Sequence, residues 1–274
     1  MTVPTALPVW LNGCLLPAGQ AHIDPADRGF LLGDGLFETM RLEKGRILRL
    51  EAHLRRLAEG ASLLQIPLPD TNLLRDALHE VSSANGAMQA ALRLTLTRGV
   101  GPRGLLPPAM PETTLLITQA ALPAPSGPCR LHFSRYRRDG ASPLSRIKHL
   151  NYLPQILARM EADKAGYDDA LLMSADGCHI AEASAATLIV SDGETLLTPP
   201  LDNGALAGTA RAALLESGWG IERRLTPDDL RNAQAAWLIN SLSVRAISRI
   251  GAHPLPQDAQ CQARIERLLF CAPD

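Results

Sequence analysis

The chain has 274 residues, a formal net charge of −1 and a pI near 6.7, with 46% apolar and 20% charged residues. That balance excludes a global positive field able to hold a polyanion, so nucleic acid and anionic membrane surfaces are poor partners. The length suits one large domain or two modest ones. Five scattered cysteines form no CxxC pair and the seven histidines are dispersed, which argues against a disulfide framework or a metal site.

In chain order, the N-terminal stretch MTVPTALPVWLNG lacks the basic start and continuous apolar core of a signal peptide. With no run of about 18 apolar residues anywhere, a reduced, cytoplasmic setting is expected. Residues 8–50 read as β-rich, with Asn12-Gly13 as a hairpin turn and Glu43-Lys44-Gly45 as a second turn. Leu50–Leu64 has helical periodicity through Leu50, Leu54, Leu57, Ala61 and Leu64, and Pro67 and Pro69 end it. A second helix is expected over Asn72–Ser83. Strands follow at Ala90–Thr97 and Thr113–Ala120, separated by RGVGPRGLLPPAMPE, a loop whose composition and length suit binding.

Leu122–Pro128 (LPAPSGP) reads as a linker. It divides a smaller N-terminal domain, 1–121, from a larger C-terminal one, 130–274, with 122–129 between them. Arg130–Arg137 is strand-like. Leu150, Leu153, Leu157 and Met160 form an apolar stripe, so a helix is expected over Asn151–Lys164. Short strands are expected at Ala170–Met173, His179–Ala183, Thr187–Val190, Thr195–Leu197 and Ala235–Ile239, and helices at Thr209–Ser217 and Gln260–Phe270. Thr226-Pro227-Asp228-Asp229 is a helix start, with a threonine N-cap, proline at the first position and acids in the first turn. The class is α+β, with mostly antiparallel or mixed sheets.

Only three lysines occur: Lys44, Lys148 and Lys164. Lys44 sits in a hairpin turn, and Lys164 near a helix C-terminus, where a cation offsets the dipole. Lys148 stands at a strand-to-helix junction beside Ile147 and Leu150, where apolar surroundings favour the neutral amine that covalent amine chemistry requires. Local context alone leaves a surface role open, with the stem lying along apolar groups and the charge in water.

Eight segments in order carry a wider resemblance: DRGFLLGDGLFETMR (27–41), LEAHLRRL (50–57), TRGVGPRG (97–104), IKHLNYL (147–153), GYDDALLMSADG (166–177), IAEASAATL (180–188), TPPLDNGALAGTAR (198–211) and WLINSL (237–242). With these the chain resembles the class IV aminotransferase group of pyridoxal-5′-phosphate enzymes, which includes branched-chain and D-amino-acid aminotransferases and 4-amino-4-deoxychorismate lyases. The resemblance implies two α/β domains with the cofactor in the cleft between them, and a homodimer. It makes Lys148 the Schiff-base lysine, which also moves the α-proton, and Glu182 the acid that pairs with the pyridine nitrogen. Arg56, and not its neighbour Arg55, matches the arginine that grips the cofactor phosphate. Gly208, Thr209 and Ala210, at a helix start, and Ser241 match further phosphate donors. Tyr152 matches a tyrosine placed near the cofactor's phenolic oxygen in some relatives. The substrate site would comprise Phe37, Arg98 and Arg103, which suit a small anionic substrate bearing an amino group.

Two reactions fit the resemblance. KHLN, TRGVGPRG, LDNGALAGTAR and INSL are closer to 4-amino-4-deoxychorismate lyase, which gives p-aminobenzoate and pyruvate on the way to folate. An aminotransferase acting on D-amino or branched-chain amino acids is the alternative, favoured by Tyr152 and by Leu105. D-amino-acid enzymes read Arg-x-His from the position of Arg103, and the lyases Arg-Gly-Tyr; here Arg103-Gly104-Leu105 matches neither. The cofactor residues are common to both reactions.

Overall fold

A computed structural model of the chain describes residues 7–124 and 126–271. The first six residues of the N-terminal stretch, Pro125 within the expected linker, and the last three residues lie outside the described residues. By packing, the chain forms two units: residues 1–123 with 147–151, and residues 124–146 with 152–274.

In the first unit, β1 (Val9–Leu11) and β2 (Cys14–Leu16) form the hairpin expected at Asn12-Gly13. A five-residue helix, α1 (Arg28–Leu32), leads into β3 (Gly35–Glu43) and β4 (Arg46–Ile47). Then come α2 (Leu50–Leu64), α3 (Thr71–Asn85), β5 (Gln89–Thr97) and β6 (Thr114–Ala120). The six strands make an antiparallel sheet in the order β2-β1-β6-β5-β3-β4. Because side chains alternate across a strand, Ala90, Leu92, Leu94 and Leu96 of β5 all point one way and are buried. They share a core with Leu36, Met40 and Leu42 of β3, with Leu54, Leu57 and Ala61 of α2, and with Leu74, Leu78 and Val81 of α3.

Helix α1 was not expected from sequence. It is too short to show a period, and its start depends on a local cap: Asp27 accepts the Gly29 N–H at 2.7 Å. A difference also concerns residues 147–151, which the sequence placed with the second half. Their backbone lies against the start of β3: Phe37 N–H donates to the Lys148 carbonyl at 2.9 Å, and Leu150 N–H to that of Gly35 at 3.0 Å. Such pairing across more than 100 residues leaves no local mark in the sequence.

The second unit holds β7 (Cys129–Arg138), α4 (Leu153–Lys164), β8 (Asp169–Ser174), β9 (Ile180–Ala183), β10 (Thr187–Ser191) and β11 (Leu196–Thr198). It continues with α5 (Thr209–Glu216), β12 (Gly220–Glu222), α6 (Pro227–Arg231), β13 (Ala235–Ile239), β14 (Val244–Ile250), β15 (His253–Pro254) and α7 (Ala259–Phe270). The sheet runs β12-β11-β10-β13-β14-β7-β8-β9, with β15 beside β14; it is parallel at β11–β12, β14–β7 and β7–β8 and antiparallel elsewhere. Trp237, Leu214, Ile265 and Leu269 join β13 to α5 and α7 in one core cluster. Helix α6 carries the expected cap as a full capping box between Thr226 and Asp229.

Helix α4 forms where expected but turns differently. Leu153, Leu157 and Met160, expected to face inward, are exposed together with Ile156, while Ala158 and Ala162 are fully buried against Ala170 and Leu172. As the crossover between the parallel strands β7 and β8, α4 lies close to the sheet, and small residues at i and i+4 permit that approach. No helix among the described residues is long and apolar enough to cross a membrane.

Two glycines at helix and strand ends separate conformational from steric cost. Gly99 and Gly86 both adopt positive φ, 80° and 64°, but a Cβ at Gly99 would overlap the Glu112 carbonyl oxygen whereas Gly86 faces open space. Gly86→Ala is expected to destabilise by about 1 kcal/mol and Gly99→Ala by about 2–4 kcal/mol, the added cost being overpacking. Urea denaturation of the two variants checks this; equal losses would assign no role to the Glu112 contact.

Candidate active site

Strand β3 places two neighbouring residues on opposite faces of its sheet. Phe37 lies on one face, paired with Thr95 of β5. Its ring is 4.3 Å from Lys148 Nζ and 3.8 Å from the Arg93 guanidinium carbon, measured to the centroid, so a cation lies within cation–π distance in both cases. Lys148 is half-buried beside the buried Ile147, and the two backbone bonds to β3 fix its position. The amine is therefore placed by an aromatic surface and by the edge of a strand.

Glu38 points the other way, towards α2. Helical spacing puts His53 and Arg56 on the same side of α2, and both meet the Glu38 carboxylate: Arg56 donates through Nε at 2.8 Å and Nη2 at 2.6 Å, and His53 Nδ1 lies 2.6 Å away. Glu38 and His53 are 1% and 0% exposed, so this cluster is shielded from bulk solvent. Burial pushes the Glu38 carboxyl up, but the Arg56 charge and the His53 hydrogen bond outweigh it and hold it at about 2. Burial lowers His53 below the usual imidazole value against the opposing pull of Glu38. A neutral imidazole with its proton on Nδ1 is the form that donates to the carboxylate. The arrangement fixes the plane of the Arg56 fork.

Arg98 and Arg103 have different surroundings. Arg98 is buried; it donates to Asp34 through Nε at 2.8 Å, and to the carbonyls of Gln65 at 2.9 Å and Leu64 at 2.7 Å. Arg28 binds the same Asp34 at 2.8 Å. Burial pushes the Asp34 carboxyl up, yet Arg98 and Arg28 together bring it below the ordinary value. Arg103, at the outer part of the same loop, is exposed.

In the second unit, Glu182 on β9 is buried, with Oε1 2.9 Å from Arg138 Nε and Oε2 accepting the Leu206 N–H at 2.9 Å. Arg138 also donates to the carbonyls of Gly204 at 2.9 Å and Ser145 at 3.0 Å. The same short segment leads from Leu206 to Gly208, the residue before α5, whose first residues Thr209 and Ala210 are buried. Glu182 and the start of α5 are thus brought together by 204–210. Ser241 is half-buried in the tight turn between β13 and β14, where Asn240 Oδ1 accepts the N–H groups of Leu242 at 2.8 Å and Ser243 at 3.0 Å. Tyr152, also half-buried, directly precedes α4.

Lys148, Phe37, Arg56, Arg98 and Arg103 therefore belong to the first unit, and Tyr152, Glu182, Gly208–Ala210 and Ser241 to the second. Sequence reasoning assigned nothing to Glu38, His53, Arg28, Asp34 or Arg138. Three of them stand inside DRGFLLGDGLFETMR, so the signal was present, but a partner on another element defines each role. Taken unit by unit, the first holds an amine and a guanidinium fixed by a carboxylate, and the second a buried carboxylate and a helix N-terminus; each is a kind of group that suits a phosphorylated pyridine aldehyde.

A family model for class IV aminotransferases matches residues 35–250, and the chain belongs to that family. It is thus a pyridoxal-5′-phosphate-dependent enzyme of class IV. Over 261 residues it is 31% identical to the aminodeoxychorismate lyase of Vibrio harveyi, covering 89% of this chain and 91% of that one. Over 241 residues it is 30% identical to a putative branched-chain-amino-acid aminotransferase of Methanocaldococcus jannaschii, covering 84% and 83%. Among solved structures, 4-amino-4-deoxychorismate lyase from Pseudomonas aeruginosa superimposes with a TM-score of 0.81 at 32% identity, covering 94% of this chain and 98% of that one.

The Glu38–His53–Arg56 cluster makes stability fall with acid. Both Glu38 and His53 are depressed in the folded state, so below pH 6.5 the unfolded chain binds more protons and stability rises with pH. Acidification is expected to cost stability first through His53, starting near pH 6.5, and then through Glu38 between about 4.5 and about 2. His53→Gln keeps a donor to Glu38 and is expected to flatten the melting temperature between pH 6.5 and 5 while leaving the lower limb. An unchanged upper limb would place that proton uptake on another group.

Proposed function

We propose that the chain is a 4-amino-4-deoxychorismate lyase, converting its substrate to p-aminobenzoate and pyruvate. The observation that carries this reading is likeness to named lyases along nearly the whole chain, 31% in sequence and 32% with a shared fold. It agrees with the KHLN, TRGVGPRG, LDNGALAGTAR and INSL segments.

When bound, pyridoxal phosphate supplies an electron sink next to the substrate's amino carbon. Lys148 Nζ anchors it, then takes the proton from the amine-bearing carbon and later returns one. Glu182, kept in place by Arg138 and the Leu206 N–H, holds a proton at the pyridine nitrogen. Arg56, the Gly208–Ala210 backbone and Ser241 would hold the phosphate, and Tyr152 would serve the phenolic oxygen. Phe37 forms an apolar surface beside the amine. Of the two loop arginines, Arg103 meets a substrate carboxylate, because the donors of Arg98 go to Asp34 and to backbone carbonyls.

The reading includes two domains divided near 122–129, a homodimer, and a cytoplasmic location. Exposed apolar side chains on α1 (Phe30, Leu31, Leu32) and on α4 (Leu153, Ile156, Met160) support association of two copies. The second reading is an aminotransferase for D-amino or branched-chain amino acids, favoured by Leu105 where lyases have tyrosine and by the 30% identity to a putative branched-chain enzyme.

Purified holoenzyme given aminodeoxychorismate is expected to release p-aminobenzoate and pyruvate. With D-alanine or L-leucine and 2-oxoglutarate it is expected to form no glutamate. Glutamate without p-aminobenzoate establishes the aminotransferase instead. Lys148→Ala should lower either activity by about three orders of magnitude or more, since nucleophile and proton carrier vanish together.

A further inference from the structure

The 16-residue segment Arg98–Thr113 joins β5 to β6, and its outer part carries Arg103. Its base is tied to the first unit at several points. Arg28 N–H donates to the Gly99 carbonyl at 2.9 Å, Gly99 N–H donates to Thr97 Oγ1 at 3.0 Å, and Asp27 bridges Val100. Beyond the base, the side chain of Arg28 holds the loop. Arg28, only 4% exposed, donates from Nη1 to the Gly104 carbonyl at 3.0 Å and from Nη2 to the Leu105 carbonyl at 2.8 Å. Its third donor, Nε, is fixed on Asp34 at 2.8 Å, and Asp34 is itself fixed by Arg98.

We propose that Arg28 is a positioning residue that sets where Arg103 presents its guanidinium to the substrate carboxylate. The inference rests on the reading above that Arg103 binds that carboxylate. Arg103 is caught between two anchors. Gly99 and Val100 are fixed on its N-terminal side, and the carbonyls of Gly104 and Leu105 on its C-terminal side. Only Gly101 and Pro102 lie between the first anchor and Arg103, and proline has a fixed φ. Gly101 lets the chain pass over the clamp, since a Cβ there would come 2.8 Å from Arg28 Cδ. The planar fork makes the clamp possible: three donors in one plane reach a carboxylate and two carbonyls at once, which an ammonium group does not reproduce. The loop tip is otherwise open, with Leu105 and Leu106 both 84% exposed. An arginine on an unclamped tip of this kind would lose its fixed geometry and pay to be ordered when substrate binds, which weakens its grip on the carboxylate.

The test uses holoenzyme carrying Arg28→Gln, Arg28→Lys, Arg103→Ala, and Arg28→Gln with Arg103→Ala. Arg28→Lys keeps a positive charge beside Asp34, and melting temperatures show that each variant folds. With the substrate turned over in the assay above, both Arg28 variants should raise KM about ten-fold with kcat within about two-fold, the pattern of lost uniform binding. Arg103→Ala should do the same, and the double variant should add little. Independently of activity, trypsin should cut the Arg103–Gly104 bond at least ten-fold faster in Arg28→Gln than in the parent. If Arg103→Ala raises KM while the Arg28 variants do not, or if the double variant is additive, Arg28 does not position Arg103. If cleavage is not accelerated, the clamp itself is overturned. If Arg103→Ala leaves KM unchanged, the carboxylate reading of Arg103 fails and the positioning role falls with it, even where cleavage shows that the clamp exists.

Discussion

A carboxylate as deeply buried as that of Glu38 stays charged only if partners replace the water it has lost, and the first unit is arranged around that demand. β3 carries Glu38 on the face that packs against α2, and α2 answers with His53 and Arg56, one helical turn apart. Removing one member of such a cluster leaves an unpaired charge in a dry interior, a cost of about 3–5 kcal/mol. The same alternation sends Phe37 to the opposite face, where Lys148 lies over its ring. A single strand thus sets both a guanidinium and an amine through neighbouring residues.

The device recurs. Asp34 is held by Arg28 and Arg98, and Glu182 by Arg138. In each case an arginine fork also reaches backbone carbonyls, so the ion pair ties a loop or turn to the body of its unit: Gly104 and Leu105 by Arg28, Leu64 and Gln65 by Arg98, Gly204 and Ser145 by Arg138. Most buried arginines here are therefore occupied with holding the fold, while Arg103 is exposed. A chain with 24 arginines and three lysines can spend forks in this way, because a planar group with five donors satisfies several acceptors that a lysine would leave partly unpaired.

These ion pairs bear on function through geometry. Phosphate and carboxylate recognition depend on two-point contacts, and a two-point contact is only as good as the orientation of the fork. Glu38 gives that orientation to Arg56. Arg138 gives a comparable fixity to the Glu182 carboxylate, whose second oxygen is held by the Leu206 N–H. The loop between β5 and β6, where Arg103-Gly104-Leu105 matches neither the lyase nor the D-amino-acid pattern, is built differently. There the backbone is strongly anchored and the side chains Arg103 and Leu105 stand open to solvent.

Much of the secondary structure was determined locally, and so was legible. The span of α2 follows from its period and the prolines after it, the turn at Asn12-Gly13 from residues that accept positive φ, and the start of α6 from Thr226 and its acids. The ordered motifs also identified the family. Pairing between distant segments was left to the tertiary structure. Residues 147–151 join the edge of β3, and α4 turns alanines rather than its larger apolar residues to the sheet. The roles of Glu38, His53, Arg28 and Arg138 belong to the same class. A charged residue shows its type in the sequence, but whether it is solvated, paired or clamping a loop depends on what the fold brings within about 3 Å of it.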